Sequence, residues 1–131
     1  MATLPNGAGG YQIGDGNVNE PDLFVQQTPI TLTAPATLTA QQLSSNNMVV
    51  YTGAAGAITL PTAASLDAYV SSAVVNHAFE FYVINTSANT ATVTAGPGWT
   101  LVGTAAGATV TSSTWRARKT GDGTWTAYRL A

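Results

Sequence analysis

Few residues in this chain have side chains that could carry out chemistry, and their spacing argues against catalysis. His77 is the only histidine and there is no cysteine, so a zinc site or a triad lacks its partners. His77 lies in the loop Val75-Asn-His-Ala, where a hydrogen-bonded loop role is expected. Asp67 and Glu80 are the acids of the central chain, one on an expected helix and one in an expected strand. Nothing turns them toward one cleft, as paired general acid and base require. Asp15-Gly-Asn17-Val-Asn19-Glu20 begins like a calcium loop, but Glu20 stands where the loop needs glycine and Gln26 where it needs glutamate. A looser oxygen-ligand set of Asp15, Asn17, Asn19 and Asp22 is weaker than a turn whose side chains cap their own backbone. The glycines here lack the Lys-Ser/Thr ending of a phosphate loop. Asn85-Thr86-Ser87 reads as a turn. No catalytic, cofactor or metal residue is expected.

The remaining charges are segregated. Residues 1–110 hold Asp15, Glu20, Asp22, Asp67 and Glu80 with no Lys or Arg, whereas residues 111–131 hold Arg116, Arg118, Lys119 and Arg129 against Asp122. The net charge is −2, and only 8% of the 131 residues are charged against roughly 25% in an ordinary domain. A chain 45% apolar with so little charge is not disordered by repulsion. It lacks the broad basic face that nucleic-acid binding needs, and no apolar run is long enough for a transmembrane helix. The first residues, Met-Ala-Thr-Leu-Pro-Asn-Gly, do not read as a secretory signal. Asp15, Glu20 and Asp22 at one end and Arg116, Arg118, Lys119 and Arg129 at the other are candidates for pairing within the fold, between subunits or with a partner protein.

Two regions must position these groups. Residues 1–27 are expected to form an extended arm: Gly7, Gly9, Gly10, Gly14 and Gly16 crowd between Pro5 and Pro21 without helical or strand period. Leu4, Tyr11, Ile13, Val18, Leu23 and Phe24 are spaced apolar anchors within it. They suit a segment that orders on another surface and can span ~90 Å when extended.

Residues 28–131 read as a β body of nine strands separated by Gly, Pro and Asn turns. Phe79-Glu-Phe-Tyr-Val-Ile is the strongest strand. One short helix is expected near 63–71, with Thr62 as N-cap. Gly121-Asp122-Gly123 is expected to close a hairpin, with Arg116 and Arg118 on one face of its first strand and Trp115 and Ala117 on the other. Glu80 is expected to meet a late arginine across the sheet. No fixed-period repeat is visible, which disfavours a solenoid. Trp99, Trp125 and Tyr128 could form a sugar-binding platform, though aromatic residues in a small β domain are more often core.

Four stretches carry a resemblance. They are Ile58-Thr-Leu-Pro-Thr-Ala-Ala, Phe79-Glu-Phe-Tyr-Val-Ile-Asn-Thr-Ser-Ala-Asn, Val93-Thr-Ala-Gly-Pro-Gly-Trp-Thr-Leu-Val-Gly and Trp115-Arg-Ala-Arg-Lys-Thr-Gly-Asp-Gly-Thr-Trp-Thr-Ala-Tyr-Arg-Leu. In this order they resemble the module of tailed-bacteriophage capsid decoration, or cement, proteins, and Gly10-Tyr-Gln-Ile-Gly-Asp-Gly-Asn resembles the start of such proteins. The resemblance implies an all-β fold, a jelly-roll-like antiparallel β-sandwich with one short helix and an extended N-terminal arm. It further implies a non-enzymatic protein on the outer capsid surface of a virion, clamping neighbouring major capsid proteins as a homotrimer at local three-fold sites. A receptor- or glycan-binding head or tail fibre module is the alternative.

Overall fold

The computed structural model describes residues 23–131. Ten strands and one α-helix follow in order: β1 (Ile30–Leu32), β2 (Ala36–Thr37), β3 (Met48–Tyr51), β4 (Gly56–Thr59), α1 (Ala63–Tyr69), β5 (Ala78–Asn85), β6 (Ala91–Thr94), β7 (Trp99–Val102), β8 (Ala106–Gly107), β9 (Thr111–Gly121) and β10 (Thr124–Arg129). A π-helical turn at Gln42–Asn46 precedes β3. The fold is all-β in two mixed sheets. One is six-stranded in the order β1-β3-β5-β9-β10-β7; the other is four-stranded in the order β2-β4-β6-β8.

Up to β9 the chain changes sheet at every connection. Short corners carry β1 into β2, β3 into β4 and β5 into β6. Each corner stacks on the one before it, and the strands pair in parallel, Ile30 with Val49 with Val83 in one sheet and Ala36 with Ile58 with Val93 in the other. Backbone bonds extend the stack into the corners, where the Thr52 N–H donates to Leu32 (2.9 Å) and the Thr86 N–H to Tyr51 (2.9 Å). Gly53 sits where two corners touch, and a Cβ there would overlap the Thr33 carbonyl. The first six strands therefore form three stacked coils.

This corrects two expectations. Five of the eight strand pairings are parallel, so the antiparallel arrangement does not hold. The coils are solenoid-like although the sequence shows no period. The cause is unequal coil length: the stacked positions are residues 30, 49 and 83, and the last crossover contains α1. Antiparallel pairing is confined to the closing strands, where β9 pairs with β5 and with β10, and β8 pairs with β6.

Alternation along each strand sends one set of side chains inward from both sheets. Val49 and Tyr51, Phe81 and Val83, Trp115 and Ala117, Trp125 and Ala127 face Ile58, Ala91 and Val93 in a single core. Its large members touch in series. Trp99 lies 6.0 Å from Trp125, Phe79 5.7 Å from Trp125 at an edge-on angle, and Phe81 stacks on Trp115 at 6.0 Å. Helix α1 starts as expected: the Thr62 hydroxyl accepts the Ser65 N–H at 3.1 Å, and Ala63 and Leu66 are buried. The hairpin at Gly121-Asp122-Gly123 also forms, with Gly123 at φ 67°.

Candidate functional site

The four basic residues of the C-terminal segment each find partners within the chain. On β9 the inward set is Ser113, Trp115, Ala117 and Lys119, so Lys119 enters the protein with the tryptophan. Its ammonium lies 3.2 Å from Asp67 Oδ1 and donates to the Ala73 carbonyl at 3.2 Å. Asp67 also accepts from the Gly123 N–H (2.6 Å) and the Trp125 indole N–H (2.8 Å). One carboxylate thus joins α1, β9, β10 and the hairpin turn. Burial pushes the Asp67 carboxyl up, but the Gly123 amide, the Trp125 indole and Lys119 outweigh it and hold its pKa below the usual carboxylate value. Of the pairings open to Lys119, within the fold or with a subunit or capsid, the structure shows the first, and its burial corrects its place among the outward contacts.

The outward set behaves as alternation requires. Arg116 reaches Glu80 across β5 at 3.2 Å, the cross-sheet pair expected from the sequence. Arg118 donates to the Tyr128 hydroxyl (2.7 and 3.0 Å) and to Asn76 Oδ1 (2.9 Å), with its guanidinium 5.7 Å from the Tyr128 ring centre. Arg129 donates to the carbonyls of Thr104, Ala106 and Ala131 and so ties the end of β10 to β8 and the loop before it. Arg116, Arg118 and Arg129 are only partly covered and still reach the surface.

The aromatic platform does not exist. Trp99 and Trp125 are buried, with their indole N–H groups spent on the Pro61 carbonyl (2.7 Å) and on Asp67. Trp115 is buried as well and donates to Ser113 Oγ at 3.0 Å. The tryptophans are core because each sits at an inward parity position. Asn85 is buried too. Its amide nitrogen donates to the carbonyls of Asn89 (2.7 Å) and Ala108 (3.1 Å), and its oxygen accepts from Ser87, so it pins the third corner. His77 Nδ1 accepts the Val74 N–H at 3.2 Å, the loop role expected of it. Among the described residues no cluster of three metal-ligating side chains occurs.

Among the exposed apolar residues one run is three residues long. Leu23, Phe24 and Val25 are consecutive apolar residues that are 68, 85 and 84% exposed. Phe24 and Val25 approach the outer face of the six-stranded sheet, where with Gln26, Asn47, Met48 and Tyr82 they line an open groove of about 330 Å³. Gln26 fixes the segment there by donating to the Asn46 carbonyl at 2.8 Å, and Asn46 Nδ2 donates to the Thr28 carbonyl at 2.8 Å. Leu23 and Phe24 are thus presented outward beside the body. The other expected arm residues, Leu4, Tyr11, Ile13 and Val18, and the acids Asp15, Glu20 and Asp22, lie outside the described residues. Val25 was missed by the sequence reading; three adjacent apolar residues at the close of a polar, Gly-rich stretch were the available signal.

Comparison with protein-family models, curated proteins and solved structures finds no match in any of the three.

Proposed function

We propose that this chain is a structural protein of a tailed-bacteriophage virion, which decorates the outer capsid surface and clamps neighbouring major capsid proteins. The exposed run Leu23-Phe24-Val25, held beside the Met48–Tyr82 groove, is the observation that carries this reading. Runs of exposed apolar residues are disfavoured on a free surface and serve contact with another protein. Covering Phe24 and Val25 fully is worth roughly 1.5–3 kcal/mol each, enough to set the affinity of a small contact. The body suits the role: its charged groups are few, and the most buried of them are satisfied internally, so docking desolvates little unpaired charge.

The resemblance of the sequence supports this class of partner, and the exposed run beside the groove supports contact there. Binding only the assembled shell stabilises that state by mass action. The test uses shells of the parent phage depleted of this protein, mixed with the full chain or with the F24S/V25S variant. Both substituted side chains are exposed, so the variant should fold. Its occupancy on shells should fall at least about tenfold, since 1.4 kcal/mol is a factor of ten. Unchanged occupancy, or absence of the protein from purified virions, overturns the reading.

A further inference from the structure

We infer that the open end of the first coil is a self-association surface, which pairs with the same end of a second copy about a two-fold axis. This inference stands apart from the shell-binding proposal. Among the described residues β1 pairs only with β3, and β2 only with β4, so each leaves one edge of its backbone without a strand partner. Both edges belong to the same coil, the first. At the opposite end the sheets are staggered, because the six-stranded sheet continues through β9, β10 and β7 while the other stops at β8.

Two free edges on one coil select the occupant. A lone extended peptide would satisfy one edge and leave the other. A second copy turned about an axis running from sheet to sheet brings its β1 antiparallel to β1 and its β2 antiparallel to β2 together. The half-buried Ile30, Leu32 and Ala36 at this end would then be covered as both sheets continue across the junction.

Charge makes the same selection. A two-fold contact places residues close to their own symmetry mates, so a charged residue there meets its like. Residues 23–66, which span the first two coils, contain no Asp, Glu, Lys, Arg or His. Edge strands are ordinarily guarded by short length, by proline and by such charges, lysine above all, and of these the charges are missing. Here only Pro29 and Pro35 stand beside the edges, and they limit β1 and β2 to three and two residues. The contact is therefore small, and the pair should form and dissociate with concentration.

The experiment places charge on the exposed positions Thr31 and Thr37, one on each edge strand. The full chain is compared with the T31K/T37K variant by sedimentation over a wide concentration range, and by hydrogen exchange. The full chain should approach twice its 13.4 kDa mass as concentration rises, and the variant should stay at the single-chain mass. Amides of residues 30–32 and 36–37 should exchange at least about tenfold faster in the variant, while those of β5 and β9 keep their protection, which shows the variant folded. A full chain that stays monomeric overturns the inference. So does a trimer, which the resemblance implies instead, or a dimer indifferent to the substitutions. Protected edge amides in a monomer would assign the edges to the chain's own preceding residues, and also overturn it.

Discussion

The two ends of the body are built on different physics. Residues 23–66 hold no Asp, Glu, Lys, Arg or His, and their strands are short, parallel and stacked coil on coil. Residues 67–131 hold Asp67, Glu80 and Asp122 with all four basic residues, and their strands include the long antiparallel pairs of β9 with β5 and β10. The neutral end gains its order from backbone ladders and tight corners. The charged end gains it from a packed aromatic series locked by one buried ion pair. A charge inside the neutral end would have no partner, whereas removing one from the charged end would orphan its mate. The difference teaches where each end can be broken.

The largest effect is expected at Asp67. Replacing it with alanine strands the buried Lys119 ammonium, the Trp125 indole and the Gly123 amide together. Breaking a buried pair from one side costs about 3–5 kcal/mol, so Asp67→Ala should lower the denaturant midpoint sharply without changing its slope. The double variant D67N/K119M removes the orphaned charge and should regain part of the loss. A single-variant cost below about 1 kcal/mol would show that the ion pair does not lock the charged end. The same carboxylate sets an acid limit. Its pKa is lowered in the folded state, so its contribution is fully present above the unfolded value, near 3.9. That contribution is lost as pH falls from there through the lowered folded value. Stability measured against pH should fall more steeply below about pH 4 in the natural chain than in Asp67→Asn.

What the sequence disclosed follows from the range of the interactions. Local chemistry was readable: Thr62 caps α1, Gly121-Asp122-Gly123 closes the hairpin, and alternation separates Arg116 and Arg118 from Trp115 and Ala117. Pairings set by long-range stacking were not. A Gly- or Pro-marked corner reads the same whether the chain reverses within a sheet or steps across to the other, so the turn signals marked where strands end but not which sheet the next one joins. Strand β2 has two residues and no periodicity to detect. The Asp67–Lys119 lock was half visible, since Lys119 shares the inward parity of Trp115 and Ala117. A lysine at that parity must be buried with a partner, and the partner lies on a helix far away in sequence. The exposed run at Leu23 and Phe24 was legible as apolar anchors, but its place beside Met48 and Tyr82 was not.

A smaller effect is expected at the neutral end. Gly53 lies against the Thr33 carbonyl where the first two corners stack. Gly53→Ala forces the corners apart, and overpacking of this kind costs about 1–3 kcal/mol. The strain should stay local. Hydrogen exchange should quicken in β1 and β2 while β9 and β10 keep their protection. If both ends lose protection equally, the coils and the charged end form one cooperative unit, and the contrast between them is only compositional.

The smallest effect is expected at the exposed pair of the charged end. Arg116 and Glu80 are 3.2 Å apart, but both side chains face water, so solvent screens their attraction. Glu80→Gln keeps the shape of the side chain and removes the charge, and should change stability by at most about 0.5 kcal/mol. The comparison with Asp67→Ala separates position from charge, because each variant removes one acid that faces one β9 cation. If Glu80→Gln proves as costly as Asp67→Ala, the charged end is held by its electrostatics at large. If the cost stays small, the lock resides in the single carboxylate that three donors keep ionised against its burial, and the surface pair serves mainly to keep charge on the outer face of β9.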